Sequence, residues 1–544
     1  MTVMTLPPVN RIAQEPQLSI STSSFSELRR FHQIYVDKTA LIYSLACRRG
    51  KFFLTRPRRF GKSLLVSTLE SLFRDGLKWF EGLAIEPLWK DTTYKVVRFD
   101  FLKLKNFQTF DEFRENFYQR LEAAFAPYGF KYDPTSHLKF VIQWGLWLQQ
   151  QDESTFVLLI DEYDAPLCVT LENSSLFAAV RSELASFYGE VKSNDQAFRF
   201  VFMTGITKFN QTGIFSELND FTDITLDSAY GALLGYTEEE VRRCFGFFLE
   251  RAQRKLGMPP EELLRELTEY YDGFCFDENI SVRVFNPWSL MQFLQSPSRK
   301  FQNYWIETGG LMTVLLKYFK SHSLKNPAQF QEEKRISKAV LTASADEKTI
   351  SDIALLTQTG YLTIKKFHGG NFYVGYPNRE VADSMASLYS ELLLSGKQLD
   401  DVDAGAIDEV LAEGAGGDVV EQFNRIFAAL DYFNYPVTNE SVCRGYLFVL
   451  LQGAQLYAKL EVHNAYGRSD LEVDAGDRHW VFELKFLAKT DGASNEKAAK
   501  LLAEAAEQMR SKHYGEEDRS GRELKRLALV FSEEKRQFTV WQAV

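Results

Sequence analysis

The sequence predicts an α/β protein with a parallel sheet in its N-terminal half and a small α/β domain at its C-terminus. Three observations support this: apolar runs alternate with helix-period segments, a basic glycine-containing loop follows the first run, and acidic strands recur near the C-terminus. Alternation of this kind is typical of a parallel sheet covered by helices. The predicted strands are residues 52–55, 94–101, 156–160 and 198–203, and the predicted helices are residues 64–73, 111–125 and 177–188.

The loop at residues 56–63 ends in Gly61, Lys62 and Ser63, as does the phosphate-binding pattern G-x-x-x-x-G-K-[ST]. In such a loop the backbone N–H groups point at phosphates, the lysine neutralises their oxygens and the hydroxyl ligates Mg²⁺. The pattern expects glycine where this chain has Arg56, so the loop is a variant. The residues predicted to bind ATP here are Arg59, Phe60, Gly61, Lys62, Ser63 and Leu64.

Residues 156–160 form a continuous apolar run, which predicts a strand buried on both faces, and the run ends in Asp161 and Glu162. We expect Asp161 to hold Mg²⁺, directly or through water, and Glu162 to polarise the attacking water. The alternative is a buried strand that ends in an acidic turn. Thr204 follows the predicted strand of residues 198–203 and is predicted to sense the terminal phosphate, with a simple turn as the alternative.

Composition is ordinary for a soluble protein, with 45% apolar and 25% charged residues. No stretch of eighteen apolar residues predicts a membrane span, and neither a secretion signal nor paired cysteines are evident, so a cytoplasmic location is expected. The net charge is -10, yet residues 25–65 contain ten Lys or Arg and two acids. This basic segment is either a solvated face paired with acids or a surface for nucleic acid or a partner.

The rest of the chain divides by composition. We expect a flexible tail over residues 1–22, the nucleotide-binding core over 23–235 and a helical lid over 236–330, which starts at a capped helix near Thr237. Two strand-like pieces around Gly369 and Gly370 predict a hairpin, so residues 331–399 are interpreted as a winged-helix-like region. The Gly-, Ala- and acid-rich residues 400–420 predict a linker, and residues 421–544 a separate domain.

The C-terminal domain contains Asp470 on one predicted strand and Glu483 and Lys485 on the next. Because alternate residues of a strand share a face, two adjoining strands bring these three side chains into one pocket. Acidic oxygens suit Mg²⁺ or Mn²⁺, and Lys485 would orient the water or stabilise the oxyanion. The alternative is a hairpin with mixed charges and no chemistry. The surrounding pattern predicts the order α-β-β-β-α-β.

Taken together, these motifs resemble the predicted AAA-ATPase-like proteins that end in a PD-(D/E)xK-superfamily nuclease domain. The residues that carry the resemblance are Tyr35-Val-Asp-Lys-Thr39, Arg56-Pro-Arg-Arg-Phe-Gly-Lys-Ser63, Leu159-Ile-Asp-Glu-Tyr-Asp164, Tyr271-Asp-Gly273, Asn286-Pro-Trp-Ser289, Asn303-Tyr-Trp305, Thr359-Gly-Tyr-Leu362, Gly467-Arg-Ser-Asp470 and Phe482-Glu-Leu-Lys-Phe486. The resemblance implies that Arg56 is the family's own loop variant. It also implies a Mg²⁺ nuclease site at Asp470, Glu483 and Lys485, with Glu440 and Gln508 in support.

Our leading hypothesis is an ATP-dependent or ATP-gated DNA nuclease that acts on foreign or mobile DNA. A second hypothesis is a nucleotide switch that binds a protein or nucleic-acid partner and uses the nuclease-like domain as a scaffold. A third is a degenerate ATPase whose loop is obstructed by Arg56. A homo-oligomer is compatible with each hypothesis, and the candidates for an arginine that completes the ATP site are Arg58, Arg59, Arg283 and Arg379.

Overall fold

A computed structural model describes residues 16–20, 22–171, 173–208, 220–305, 333–342, 351–402, 406–491, 495–516 and 521–544. Most of the predicted tail, residues 306–330 of the predicted lid and residues 403–405 of the predicted linker lie outside these ranges. The described residues up to 305, together with residues 334–378, form one compact unit, and those from 379 onwards form a second. No helix within the described ranges is long and apolar enough to cross a membrane.

Thirteen strands are present in the described ranges. They are β1 Gly50–Thr55, β2 Lys95–Asp100, β3 Phe156–Asp161, β4 Phe198–Gly205, β5 Thr222–Asp223, β6 Lys334–Ser337, β7 Thr363–His368, β8 Asn371–Gly375, β9 Tyr457–Leu460, β10 Leu471–Ala475, β11 Arg478–Leu487, β12 Glu523–Ser532 and β13 Gln537–Ala543.

The α-helices of the first unit are α1 Phe25–Arg30, α2 Thr39–Ala46, α3 Lys62–Asp75, α4 Phe110–Phe125, α5 Phe140–Leu148, α6 Ala165–Cys168, α7 Ser174–Ser193, α8 Glu238–Cys244, α9 Gly246–Leu256, α10 Pro260–Tyr271, α11 Pro287–Gln295, α12 Lys338–Thr342 and α13 Asp352–Thr359. Those of the second unit are α14 Arg379–Leu393, α15 Ile407–Glu413, α16 Gly416–Ala428, α17 Glu440–Gly453 and α18 Asn495–Ser511.

The first sheet has the order β2-β3-β4-β1-β5, and all of its strand pairs are parallel. Every residue of β3 is buried, as its continuous apolar sequence predicts. Helices α4, α5 and α7 contribute an aromatic-rich core in which Phe117, Trp144 and Phe187 are fully buried. The predicted α/β class and parallel sheet are confirmed, and β1 and β3 both end at the same edge of the sheet, on either side of β4.

The helices after the first sheet begin as predicted. Thr237 caps α8 through a reciprocal capping box with Glu240, and α8 to α11 pack around Leu263, Phe293 and Tyr304. The hairpin of β7 and β8 is also present, with Gly369 and Gly370 both at positive φ in the turn. Together with β6 it forms a three-stranded antiparallel sheet.

The second unit is built on a five-stranded sheet in the order β13-β12-β11-β10-β9. Strands β11 and β12 are parallel, and the other neighbouring pairs are antiparallel. The chain order from α17 to β12 is α-β-β-β-α-β, as predicted, and β13 adds a final edge strand. One face of the sheet packs on α18 through Val481, and the other packs on α16, where Phe423 contacts Phe482.

The structure differs from the predicted boundaries between residues 379 and 420. Helix α14 belongs to the second unit rather than to the winged-helix-like region, and the predicted linker contains α15 and the start of α16. Trp480 donates to the Leu411 carbonyl at 2.8 Å, which fixes α15 on the sheet. The small residues that suggested a linker allow close packing instead, because a Cβ at Gly416 would lie 3.1 Å from Leu527.

Candidate nucleotide and nuclease sites

The phosphate loop joins β1 to α3 and has the backbone needed for anion binding. Gly61 is the N-cap of α3 at φ 92°, and Arg59 also has a positive φ of 68°. Glycine adopts this conformation without strain, and the N–H groups of the first turn of α3 have no partner within the helix. The loop and the start of α3 therefore form a site that suits phosphate.

Lys62 is buried inside its own loop. Its Nζ donates to the carbonyls of Arg56 and Pro57, each at 3.1 Å, and lies 3.6 Å from a carboxylate oxygen of Glu162. Carbonyl oxygens are neutral partners, so a phosphate can replace them with a stronger charge-assisted interaction. Lys62 is thus placed where sequence analysis predicts, and it comes within reach of one of the two predicted acids.

Asp161 is almost fully buried at the tip of β3, and its Oδ1 has no hydrogen-bond partner in the described part of the chain. Burial and the charge of Glu162 raise its pKa, while the nearby Ser63 hydroxyl and the charge of Arg98 oppose that rise. A buried oxygen without a partner, next to a serine hydroxyl, fits a cation such as Mg²⁺. Ser63 and Asp161, the two predicted ligands, are therefore brought together.

Glu162 follows Asp161 at a positive φ of 52°, an uncommon conformation for a residue with a side chain. Strained backbone is concentrated at functional sites, where surrounding structure holds it. The next turn supplies that support, because Tyr163 N donates to the Thr204 carbonyl at 3.1 Å and Asp164 accepts from Thr207 N at 2.9 Å. The acidic end of β3 is thus a built feature rather than a loose turn.

Arg56 points away from the phosphate site and is completely buried. Its guanidinium donates to the carbonyls of Thr55, Thr225 and Tyr230 at 2.9, 2.7 and 3.3 Å, and lies over the Phe276 ring. Burial lowers its pKa to about 9. The hypothesis that Arg56 obstructs the loop is therefore contradicted, because this side chain fastens the loop's first residue to the interior.

Other predicted nucleotide-site residues have structural contacts. Phe60 is buried between Phe274 and Phe276, so it anchors the loop. Arg59 lies 4.2 Å from the centre of the Trp288 ring. Thr204 lies within β4, where its fully buried hydroxyl donates to the Leu54 carbonyl at 2.8 Å, so its role as a phosphate sensor stays a prediction. Leu64 N is in the first turn of α3, as predicted.

Arg98 on β2 is the residue that sequence analysis missed in this site. It reaches Asp161 Oδ2 and Glu70 Oε2, both at 3.3 Å. Among the predicted arginine candidates, Arg283 donates to the Lys365 carbonyl, and Arg379, in the second unit, lies over Tyr457. A polar residue inside the apolar run of β2 was the available signal for Arg98, because a buried strand carries charge only where it finds a partner.

The loop is also supported by a glycine far along the chain. Gly360, at the end of α13 with φ 90°, lies so close to Pro57 that a Cβ there would be 2.6 Å from the proline ring. Such a separation is much shorter than a normal carbon contact. The same segment places Tyr361 against Trp305. The Thr359-Gly-Tyr-Leu362 motif therefore packs directly against the phosphate loop, and Trp305 of the Asn303-Tyr-Trp305 motif packs against Tyr361 of that segment.

In the second unit, Asp470, Glu483 and Lys485 come together as predicted. The register Leu471 to Phe482 brings the start of β10 beside the middle of β11, and Asp470 Oδ2 accepts from Leu484 N at 2.8 Å. Lys485 Nζ donates to Glu483 Oε1 at 2.8 Å, and Glu483 is 1% exposed. Glu483 Oε2 is buried and has no hydrogen-bond partner in the described ranges.

Electrostatics also link these residues. Burial and the charge of Asp470 raise the pKa of Glu483 to about 7, against the opposing effect of Lys485. Burial raises the pKa of Glu440, at the start of α17, and its charge interacts with Lys485 and Asp470. Gln508, the other supporting residue, donates to the Tyr514 hydroxyl at 3.2 Å. Glu440 thus shares the field of the site, while Gln508 holds the end of α18.

The acids do not form a ready-made metal cage. Within the described ranges, no group of three or more His, Cys, Asp or Glu side chains is arranged to hold a metal ion. Asp470 Oδ1 is occupied by Arg444 at 2.6 Å, and Arg444 also donates to Glu461 at 2.7 Å. The unpartnered oxygen of Glu483 and the carboxylate of Asp470 are still the right donors for Mg²⁺ or Mn²⁺.

A second polar cluster on the same sheet was not predicted. His479 is 3% exposed, its Nδ1 lies 2.7 Å from Asp474, and its Nε2 lies 3.2 Å from Glu472 at an angle too poor for a hydrogen bond. Burial opposes its charge, but the contacts with the two carboxylates prevail and raise its pKa to about 9. Ser469 donates to Glu472, so this acid is engaged apart from the predicted site.

Comparisons with known proteins match the parts of the chain that contain the two sites to two different family models. Residues 19–215 match the family model described as Predicted AAA-ATPase, and residues 438–541 match the model of the PD-(D/E)XK nuclease superfamily. The predicted resemblance is confirmed: the chain carries an AAA-ATPase-like domain and, after it, a PD-(D/E)XK-superfamily domain.

One relative matches this chain over nearly the whole length of both sequences. The chain is 27% identical over 551 residues to a protein of Azotobacter chroococcum mcd 1 described as an uncharacterized protein in the vnfD 5′ region. The match covers 96% of this chain and 97% of that protein, so both domains lie within the shared length. No solved structure shows a significant match to the chain.

Proposed function

We propose that the protein is a Mg²⁺-dependent DNA nuclease linked to a domain that binds and hydrolyses ATP. The observation that carries this proposal is the meeting of Asp470, Glu483 and Lys485 on β10 and β11, with one buried Glu483 oxygen lacking a partner. A buried carboxylate oxygen without a partner is costly unless a ligand uses it. The two domain families provide independent support for both activities.

In the nucleotide site, Lys62 would leave the carbonyls of Arg56 and Pro57 for the outer phosphates of ATP, while the loop N–H groups hold the rest. Ser63 and Asp161 would hold Mg²⁺, which neutralises charge on the phosphates. Glu162 then lies beside Lys62, where its carboxylate can orient and polarise the attacking water.

In the nuclease site, Asp470 and Glu483 would hold the metal, which activates water and neutralises charge on the phosphodiester. Lys485 keeps its ammonium beside Glu483, where it can orient the water or stabilise the developing oxyanion. Glu440 adds negative charge near both residues and would favour cation binding. DNA is the substrate proposed because the domain superfamily is one of nucleases.

We further propose that nucleotide state controls the nuclease and that the protein acts against foreign or mobile DNA. The presence of both domains in one chain, and in a relative matched over nearly its full length, supports a coupled role. The test of coupling compares cleavage with ATP, ADP and no nucleotide, in the wild type and in Lys62→Ala. A phage or plasmid challenge of cells that produce either protein tests the defence role.

The direct test of nuclease activity is plasmid cleavage with Mg²⁺ or Mn²⁺, with and without ATP. Glu483→Ala should lower the rate by about 100-fold or more, because it removes a metal ligand and the partner of Lys485. Glu504→Ala is the matched control, since Glu504 is an exposed residue of α18. Cleavage by Glu483→Ala at the wild-type rate would show that the catalytic assignment is wrong.

A second function is favoured by the absence of a preformed three-carboxylate cluster among the described residues and by the Arg444 contact with Asp470. In this alternative the protein is a nucleotide switch that binds nucleic acid or a protein partner, and the nuclease-like domain is a scaffold. It predicts DNA binding without cleavage in either metal. It also predicts slow ATP turnover until a partner supplies an arginine.

A further inference from the structure

Asp470, the first acid of the proposed nuclease site, is already paired with a positively charged side chain. Arg444, on α17, donates to Asp470 Oδ1 at 2.6 Å and to Glu461 Oε1 at 2.7 Å. The other Asp470 oxygen accepts from Leu484 N at 2.8 Å. Both oxygens of Asp470 therefore already accept a hydrogen bond, and the donor at Oδ1 carries the kind of positive charge that a divalent cation would otherwise supply.

The Arg444 contact is held in place by its surroundings. The Arg444 and Asp470 side chains are only 15% and 11% exposed, so solvent screens their attraction weakly. Glu461 is fixed in turn by Arg468, whose guanidinium lies 2.9 Å from its second oxygen. An arginine held by two carboxylates is a stable neighbour for Asp470 and not a transient surface pair.

We propose that Arg444 is a built-in counter-ion of Asp470 that competes with the divalent cation, so the proposed nuclease site binds metal weakly until Arg444 moves. This inference rests on the proposed function. A phosphate group of the substrate is the natural partner to draw Arg444 away, because a guanidinium binds phosphate oxygens in the same two-pronged geometry that it uses with carboxylates.

Arg444 acts here as a positioning residue, and its effect is measurable without catalysis. Mn²⁺ binding to the full-length, nucleotide-free protein can be followed by the loss of the free-ion electron paramagnetic resonance signal. Arg444→Gln should tighten binding of Mn²⁺ at least ten-fold, because it removes the competing charge and leaves an Asp470 oxygen free. The Arg444→Lys variant should bind Mn²⁺ more tightly than the wild type and more weakly than Arg444→Gln. Lysine keeps the positive charge, but it lacks the planar guanidinium that contacts Asp470 and Glu461 at the same time.

Arg468→Gln is the matched control. It removes the same charge and a contact with the same Glu461, but Arg468 has its ion pair with Glu461 and not with Asp470. We expect its affinity for Mn²⁺ to stay within three-fold of the wild type. If Arg468→Gln tightens binding as much as Arg444→Gln, the effect is one of general charge and the proposal is overturned.

A further variant separates this proposal from the proposed function. Asp470→Asn should abolish the tight Mn²⁺ binding of Arg444→Gln when the two are combined. If Arg444→Gln binds no more tightly than the wild type but Asp470→Asn weakens binding in the wild type, the metal site stands and the counter-ion proposal fails. If Asp470→Asn has no effect in either background, the metal site itself is wrong. Thermal unfolding of each variant confirms that it is folded.

Discussion

The two sites use the same kinds of residue, acids and a lysine, but they hold them differently. In the nucleotide site, Lys62 is held by two neutral carbonyls, and Asp161 faces Arg98 at a loose 3.3 Å. In the nuclease site, Lys485 is held by the carboxylate of Glu483, and Asp470 is paired with Arg444 at 2.6 Å. When the nucleotide site binds its ligand, Lys62 gives up only contacts with neutral carbonyls. When the nuclease site binds a metal ion, the ion pair between Asp470 and Arg444 must be broken.

This difference indicates how each site would respond to its ligand. A lysine that leaves carbonyls for phosphates gains charge neutralisation, so ATP binding by the first site needs little rearrangement. A buried ion pair resists separation, because each partner is left with an uncompensated charge. We therefore expect the nucleotide site to bind without help and the nuclease site to depend on metal concentration and substrate.

The largest expected effects come from replacing Lys62 and Lys485 by alanine in two separate variants. ATP at ~100 times its dissociation constant should stabilise the wild type by about 2.7 kcal/mol, and Lys62→Ala should lose this thermal shift. Lys485→Ala should keep the shift but lower DNA cleavage by about 100-fold. Lys500→Ala, at an exposed position of α18, should change neither quantity. Loss of the ATP shift in Lys485→Ala would contradict the assignment of Lys485 to the nuclease site alone.

A smaller effect is expected for the pH dependence of stability, and the contribution predicted here comes from His479 in the second unit. Because the pKa of His479 is raised to about 9 from its usual 6.5, its protonated form stabilises the fold fully below about pH 6.5, and this stability is lost as the pH rises through 9. Urea unfolding between pH 6 and pH 10 should show a loss on the order of 2 kcal/mol in the wild type. His479→Gln should flatten this dependence. Equal pH slopes in the two proteins would rule out the His479 contribution.

The smallest effect is expected at Thr204. Thr204→Val removes the hydrogen bond to the buried Leu54 carbonyl, so the free energy of unfolding should fall by about 1–2 kcal/mol. The ATP dissociation constant and the hydrolysis rate should stay within three-fold of the wild type. A fall in hydrolysis of 100-fold with normal ATP affinity would instead support the predicted role of Thr204 as a phosphate sensor.

Local pattern was sufficient to predict the strands, the loop and the acids. Strand β3 is apolar up to Asp161 because both faces are covered, and the loop carries its own glycine and lysine, so both are visible over a few residues. The meeting of Asp470 with Glu483 and Lys485 followed from strand alternation and a short turn. These features depend on neighbours in sequence, which is why they could be predicted.

The remaining features depend on partners far along the chain. Arg56 finds its acceptors at Thr225 and Tyr230, and Arg444 reaches Asp470 only because α17 packs against β9 and β11. No regular spacing of residues in the sequence indicates either contact. The predicted linker contains the start of a helix, which its Gly- and Ala-rich composition concealed. In α16, Val419, Val420 and Phe423 lie on one buried face, a pattern typical of a helix. The glycines before them permit close approach to the sheet.

The contact between Gly360 and Pro57 has a practical consequence for dissecting the molecule. The phosphate loop rests on a residue about three hundred positions later, and Phe60 inserts between Phe274 and Phe276. A fragment that stops at residue 235 would expose this proline and this phenylalanine to water and remove what holds the loop's shape. Biochemistry on the nucleotide site therefore calls for the first 378 residues at least, because the minimal sequence motif is not a minimal folding unit.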